Sequence, residues 1–328
     1  MKVHLCLPTF NNEATIEQTL DSLLSQSFYN FEISLVDNNS SDQTLEKITK
    51  YLSKDARLEL IRHSQNIGGE KNFEFCLKMA KHDLFAVFHS DDLYHKECLA
   101  FAVDFFQKNP TCSALSFQAS LIDHQGNNLG RRFFPKELAQ LENPPFSGVC
   151  LSAEELFKLS LKYGNIITCP GVIFRTSFVA AHIQTWCGEL FKTSADLDVW
   201  LRTALQGKFF ITSKILMSYR ESSASFSYKL SKTRIDRHDL FLVLDHYFSK
   251  FQPSLSQKDL NFYAFLDFKD YIFRQVTRLK RKVTLEPKRK IPWKIICLVG
   301  IKTPWHFKYA FYMTLFPVYF FLKKVFSK

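Results

Sequence analysis

The 328-residue chain has no glycine-rich phosphate loop: neither G-x-x-x-x-G-K-[ST] nor G-x-G-x-x-G occurs. P-loop and dinucleotide-binding readings therefore lack their fingerprints. There is no C-x-x-C pair either. The eight cysteines (Cys6, Cys76, Cys98, Cys112, Cys150, Cys169, Cys187 and Cys297) are scattered without metal-ligand spacing, as expected of reduced, packed thiols in a cytosolic compartment. The apolar run in Met1–Pro8 is too short for a signal peptide, which predicts a protein on the cytoplasmic side. The polar bias of a disordered chain is missing too, and the length suits one large domain with an appendage.

The charge is unevenly distributed. The net is +11, yet residues 229–328 carry 21 Lys/Arg against 7 Asp/Glu, and residues 1–228 carry 22 against 25. The basic excess belongs wholly to the C-terminal third, which predicts that this part meets an anionic surface, lipid or nucleic acid.

The organising stretch is Leu84-Phe85-Ala86-Val87-Phe88-His89-Ser90-Asp91-Asp92. Five apolar residues read as a buried strand, and two adjacent acids stand where it ends. At the carboxyl end of a strand in an open α/β sheet, such a pair can hold a hard cation that grips a diphosphate. A helix N-terminus capped by Ser90, with the acids on the dipole, is the alternative.

Upstream, Val3–Leu7 and Phe31–Val36 read as strands, and Leu58–Ile61 as a third. Between them, Ile16, Leu20, Leu23 and Leu24 mark one helical face, and Leu45, Ile48 and Leu52 another, with Ser41 as its expected N-cap. Asn66-Ile67-Gly68-Gly69 is a turn before a helix that turns Phe73, Leu77 and Ala80 inward. Alternating strands and helices predict a mainly parallel, doubly wound sheet. Pro8–Glu13, Asp37–Asp42 and Asp91-Asp92 then fall at the carboxyl ends of three strands, around one crevice suited to a nucleoside diphosphate.

Four motifs in this order, Pro8-Thr9-Phe10-Asn11-Asn12-Glu13, Val36-Asp37-Asn38-Asn39-Ser40-Ser41-Asp42, Asn66-Ile67-Gly68-Gly69 and Ser90-Asp91-Asp92, resemble family 2 glycosyltransferases of the GT-A fold. Gly171–Arg175, Asp196–Arg202 and Tyr219-Arg220 are similar to the family's later blocks, so the resemblance spans residues 1–228, with 229–328 as a helical, basic extension. It implies that Pro8, Thr9, Phe10 and Asn11 line a nucleoside pocket, with Glu13, Asn38 and Gly68 in the donor-binding loops. Asp37 would bind the base. Asp91 and Asp92 would hold the ribose and a Mn²⁺ or Mg²⁺ ion that bridges the phosphates. Asp196 falls at the position of the catalytic base, and Asp198 is its rival. The two are i, i+2 apart and on a helix cannot share a face.

Several positions stay open. His89 stands where the family's Asp-x-Asp motif has its first acid, as a packed residue or as a ligand. Lys71 is a phosphate contact or a solvated helix residue. Arg131-Arg132 either meets an anionic acceptor or flanks the turn Asp123–Asn128, where Asp123 is expected to be structural. Trp186 stacks on a sugar or fills a core. Pro144-Pro145 marks a loop, and Ser152–Glu155 begins a helix with a capping box.

Beyond residue 229, helical patterns (Leu240, Val243, Leu244, Tyr247; Phe262, Phe265, Leu266) precede basic clusters at Arg278–Lys282 and Lys288-Arg289-Lys290. The longest apolar run, Tyr309–Leu322, is short for a spanning helix and is broken by Pro317. Its aromatics and lysines predict a segment lying in the headgroup layer, against the alternative of a helical cap on the catalytic domain. The expectation is an inverting, metal-dependent transferase. It would use a UDP-sugar and a saccharide or lipid-linked acceptor of envelope polysaccharide or lipopolysaccharide at the inner membrane face, without nucleic acid as partner. Sugar nucleotidyltransferase and non-catalytic glycan- or nucleic-acid-binding readings stand as rivals.

Overall fold

The structure, a computed structural model, describes residues 1–140, 146–221, 234–281 and 283–284. The expected loop at Pro144-Pro145, the basic cluster Lys288–Lys290 and the aromatic segment through Leu322 lie outside the described residues. The chain forms two compact units, Met1–Ser254 and Leu255–Lys328.

In the first unit, β1 (Val3–Thr9), β2 (Phe31–Asp37), β3 (Leu58–Arg62) and β4 (Leu84–Val87) are parallel, in the order β3-β2-β1-β4. β1 and β4 are buried along almost their whole length, which is why they read as near-continuous apolar runs. The helices between them are α1 (Ile16–Leu24), α2 (Thr44–Leu52) and α3 (Gly69–Lys78). α1 buries Ile16, Leu20 and Leu23 as its spacing requires. α2 does not begin at a Ser41 cap. Its cap position is Gln43, and the Thr44 N–H donates to Asp42 Oδ1 at 3.0 Å, while the Ser41 hydroxyl lies against Asn11 Oδ1 and accepts from no helix N–H.

After β4 come β5 (Leu93–Tyr94), α4 (Cys98–Lys108), β6 (Cys112–Ile122), β7 (Asn128–Arg131), α5 (Lys136–Ala139), β8 (Gly148–Leu151) and α6 (Ala153–Tyr163). They are followed by β9 (Val172–Arg175), α7 (Thr176–His182), α8 (Gly188–Phe191), α9 (Ala195–Gln206), β10 (Lys208–Arg220) and α10 (Leu240–Phe251). The sheet continues β4-β9-β6-β10-β5, with β7 on β6 and β8 on β10. β9 is antiparallel to both neighbours, while β6 and β10 are parallel. The parallel arrangement therefore holds through β4 and again in the β6–β10 pair. Four apolar residues such as those of β9 fit either direction, so only long-range pairing sets it.

Arg175 ends β9 by donating to the Cys112, Phe106 and Asn109 carbonyls at 2.7–3.1 Å, the last two at the C-terminus of α4, where a cation is favoured. The Ser152 capping box starts α6 as expected. Asp123 holds its turn by accepting from the Gln125 and Asn127 N–H groups. α10 buries Leu240, Val243, Leu244 and Tyr247, and Phe251 stacks on Phe157 of α6 at 4.8 Å. In the second unit, α11 (Gln257–Lys280) opens with a Ser256–Asp259 capping box and carries the buried ion pair Asp270–Arg274 at 2.8 Å. No helix among the described residues is long and apolar enough to cross a membrane.

β8 packs closely on β10. A Cβ at Gly148 would lie 2.3 Å from the Ile211 carbonyl oxygen and 2.8 Å from Thr212 Cα, backbone atoms that cannot yield alone. Gly148→Ala should lower the unfolding free energy by about 1–3 kcal/mol in denaturant titration; an unchanged midpoint would contradict this packing.

Candidate active site at the carboxyl edge of the sheet

Parallel pairing puts the carboxyl ends of β1, β2 and β4 on one edge, with Thr9 opposite Asp37, as ligand sites in α/β sheets require. The loops after β1 and β2 are joined atom by atom. The Asn38 N–H donates to the Thr9 carbonyl, the Asn11 N–H to Ser40 Oγ and the Glu13 N–H to Asp42 Oδ2. Glu13 Oε2 accepts the Gln43 N–H at 2.9 Å. Asn11 sits at φ +52°, a region asparagine tolerates better than most residues. Asp37 is fully buried, accepts from the Ser40 N–H and hydroxyl, and faces Arg62 Nε at 3.3 Å. Asn38 uses both ends of its amide on the next turn, donating to Asn66 Oδ1 and accepting the Ile67 N–H. That turn closes through Gly68, at φ +86°, whose N–H donates to Asn66 Oδ1. Pro8 is partly buried, Thr9 is buried, and the Phe10 ring is 43% exposed. Lys71 lies exposed in the first turn of α3, and no bond ties it to this cluster.

The acidic stretch joins the same edge. Ser90 Oγ donates to the Pro8 carbonyl at 3.0 Å and lies 2.9 Å from Asn12 Oδ1. It caps no helix; β5 follows directly, which removes the alternative reading of this stretch. Arg220, at the end of β10, clamps the turn from behind. Its Nε donates to the Asp91 carbonyl at 2.7 Å, Nη1 to the Asp123 and His124 carbonyls at 3.0 Å, and Nη2 to Gln18 Oε1 at 2.8 Å. Its backbone N–H donates to Asp92 Oδ1 at 2.7 Å. Asp92 Oδ2 is buried without a partner, 3.5 Å from His89 Nδ1. Burial, and next the Asp91 charge, push the Asp92 carboxyl well above its usual range, against the pull of Arg220. Burial lowers His89 in the opposite sense.

The two acids of α9 part company. Asp198 is buried, paired with Arg202 Nε at 2.8 Å, and accepts the Tyr247 hydroxyl at 2.7 Å. Asp196 accepts from Asn165 Nδ2 at 2.6 Å and from the Leu197 N–H. Burial raises Asp196 to about 6, opposed by the Leu197 N–H, Arg132 and Asn165. Arg131 is exposed at the end of β7, whereas Arg132 turns in: it lies over the Tyr219 ring at 5.6 Å and donates to the Asn165 carbonyl. Its charge acts on both Asp92 and Asp196. The Cys169 thiol, raised by burial, is reached by the charges of Asp196, Asp92 and Arg132 together. Arg132 is thus the residue that sequence reasoning undervalued, since nothing in a turn-flanking Arg-Arg pair tells which side chain faces inward. Trp186 is buried against Phe73 at 5.0 Å and serves the core rather than an open stacking face.

A family model described as glycosyl transferase family 2 matches residues 5–177. The chain belongs to this family. The poly(ribitol-phosphate) β-glucosyltransferase of Bacillus spizizenii is 28% identical over 223 residues, 63% of this chain and 33% of that protein. The chain spans a third or less of the length of the first curated relatives it matches. Among solved structures, S. aureus TarS 1–349 in complex with UDP superposes with a TM-score of 0.54 at 21% identity, covering 86% of this chain and 87% of that one. The mannosyltransferase PcManGT of Pyrobaculum calidifontis, in complex with GDP-Man and Mn²⁺, gives 0.53 at 15% identity, covering 100% and 88%. These likenesses establish the shared GT-A fold.

The donor set suits a divalent cation. One ligand atom each from His89, Asp91 and Asp92 lie within 4.8 Å of one another, and the orphaned Asp92 oxygen is what an absent ligand would satisfy. Arg220→Gln should cost about 1–3 kcal/mol of stability, because it strands the Asp91, Asp123 and His124 carbonyls that the guanidinium satisfies. Denaturant unfolding measures this, and a loss under about 1 kcal/mol would deny Arg220 its clamping role.

Proposed function

We propose that the chain is an inverting glycosyltransferase moving a sugar from a nucleoside diphosphate donor, a UDP-sugar, to a saccharide or lipid-linked acceptor. The observation that carries this reading is the cluster of His89, Asp91 and Asp92, whose ligand atoms lie within 4.8 Å of one another around a buried, unsatisfied Asp92 oxygen. Asp92, in the turn between β4 and β5, has an unsatisfied oxygen, Asp196 starts α9, and Arg132 reaches Asp196 through the Asn165 carbonyl and amide. Membership of the family supports the same reaction class.

In this reading Pro8, Thr9, Phe10 and Asn11 form the nucleoside pocket, with the exposed Phe10 ring as a face for the base. Asp37 accepts from the base. Glu13, Asn38 and Gly68 keep the two donor loops in register, and Lys71 reaches a phosphate. Asp91 and Asp92 hold a Mn²⁺ or Mg²⁺ ion, which offsets charge on the departing diphosphate when bound. Asp196 takes the proton from the acceptor hydroxyl as its oxygen bonds to the anomeric carbon. The bond from that carbon to the diphosphate oxygen breaks, and the nucleoside diphosphate leaves with the electron pair. One displacement inverts the anomeric configuration. A carboxyl raised to about 6 is a stronger base than an ordinary aspartate and is still ionised at neutral pH.

The acceptor is assigned to envelope polysaccharide or lipopolysaccharide synthesis, in keeping with a relative that acts on poly(ribitol phosphate). The basic, aromatic C-terminal region would keep the protein on the inner membrane surface.

Asp92→Ala should abolish transfer while leaving a folded protein by circular dichroism; wild-type turnover would refute the cation corner. Asp196→Asn should bind donor but not transfer, whereas Asp198→Asn should lose stability and keep transfer; the reverse order would move the base. Rate should fall as pH drops through about 6, since the base must be ionised, and a flat profile from pH 5 to 8 would argue against Asp196. Removing residues 292–328 should release the protein from anionic vesicles; unchanged partitioning would show that this region only packs.

A further inference from the structure

The acidic corner contains a nitrogen that the reaction above does not use. His89 follows β4 with its backbone N–H fixed on Tyr94 Oη at 2.9 Å. Its ring is held edge-on by Phe73 at 5.5 Å, and Phe73 is backed in turn by Trp186. So placed, Nδ1 lies 3.5 Å from Asp92 Oδ2. That oxygen belongs to a side chain only 1% exposed and has no hydrogen-bond partner. His89 Nε2 is likewise buried without one. Two atoms that each lie about 2.1 Å from one ion can be at most about 4.2 Å apart, so the spacing of Nδ1 and Oδ2 suits a shared cation.

We propose that His89 is a third protein ligand of the cation held by Asp91 and Asp92, and that its nitrogen tilts the site toward Mn²⁺ over Mg²⁺. The inference rests on the cation reading given under Proposed function. Mg²⁺ dehydrates reluctantly and favours an all-oxygen shell, whereas Mn²⁺, a transition ion that also prefers oxygen, takes a nitrogen ligand at less cost than Mg²⁺ does. A neutral ring in place of a third carboxylate also lowers the negative charge of the corner. The donor diphosphate then meets less repulsion there, while the cation keeps a full set of protein ligands.

The test is pulsed EPR of Mn²⁺ bound to the full chain in the presence of unlabelled UDP, with protein carrying ¹⁴N or ¹⁵N. A nitrogen coupling that changes with the protein label, and disappears in His89→Asp, is expected. In competition titrations His89→Asp should shift the Mg²⁺:Mn²⁺ affinity ratio toward Mg²⁺, and an unchanged ratio would overturn the selectivity. Bound Mn²⁺ with no protein nitrogen coupling in the wild type would overturn the ligand assignment and leave the aspartate pair standing. Failure of the wild type to bind Mn²⁺ with UDP would overturn the cation reading itself. Should His89→Asp not fold, the two labelled wild-type spectra still decide.

Discussion

One guanidinium holds the site in shape. Arg220 directs four side-chain N–H bonds at the Asp91 carbonyl, two carbonyls of the Asp123 turn and Gln18, and its own backbone N–H at Asp92. It thereby joins the end of β10, the turn after β4, helix α1 and the turn before β7 at one buried point. Buried ionic groups survive only when their bonds are made, and here the bonding leaves one oxygen of Asp92 unmet. The clamp holds the Asp91 carbonyl and the Asp92 carboxyl at the end of β10.

From that point the rest of the site follows in order. Tyr219, the neighbour of the clamp, supports Arg132 on its ring, and Arg132 binds the Asn165 carbonyl while the Asn165 amide binds Asp196. The acidic turn after β4 and the raised carboxyl of α9 are therefore parts of one network. Two residues farther along the same helix, Asp198 meets Arg202 and Tyr247 and is spent on packing α10. The same residue type, less than one helical turn away, is given a different task by what it faces.

Much of the first unit was legible because its signals are local. Apolar runs gave β1, β2 and β4, and helical spacing gave α1. The order of the parallel strands then placed Pro8–Glu13, Asp37 and Asp91-Asp92 on one edge. The Ser41 cap failed because Asp42 takes the Thr44 N–H, while the Ser41 hydroxyl lies against Asn11, thirty positions upstream. The antiparallel setting of β9 was equally hidden, since Val172-Ile173-Phe174 carries no mark of direction.

By itself the sequence determined the residue types at the sheet edge, the family they belong to and the adjacency of the two acids. These are matters of spacing along the chain. Only the tertiary structure decided that Arg220 is a buried clamp, that Arg132 rather than Arg131 turns inward, and that Asp196 and Asp198 stand in different surroundings. The reason is physical: the charge state and bonding of a side chain depend on burial and on partners drawn from distant segments, and no local pattern records which segments will meet.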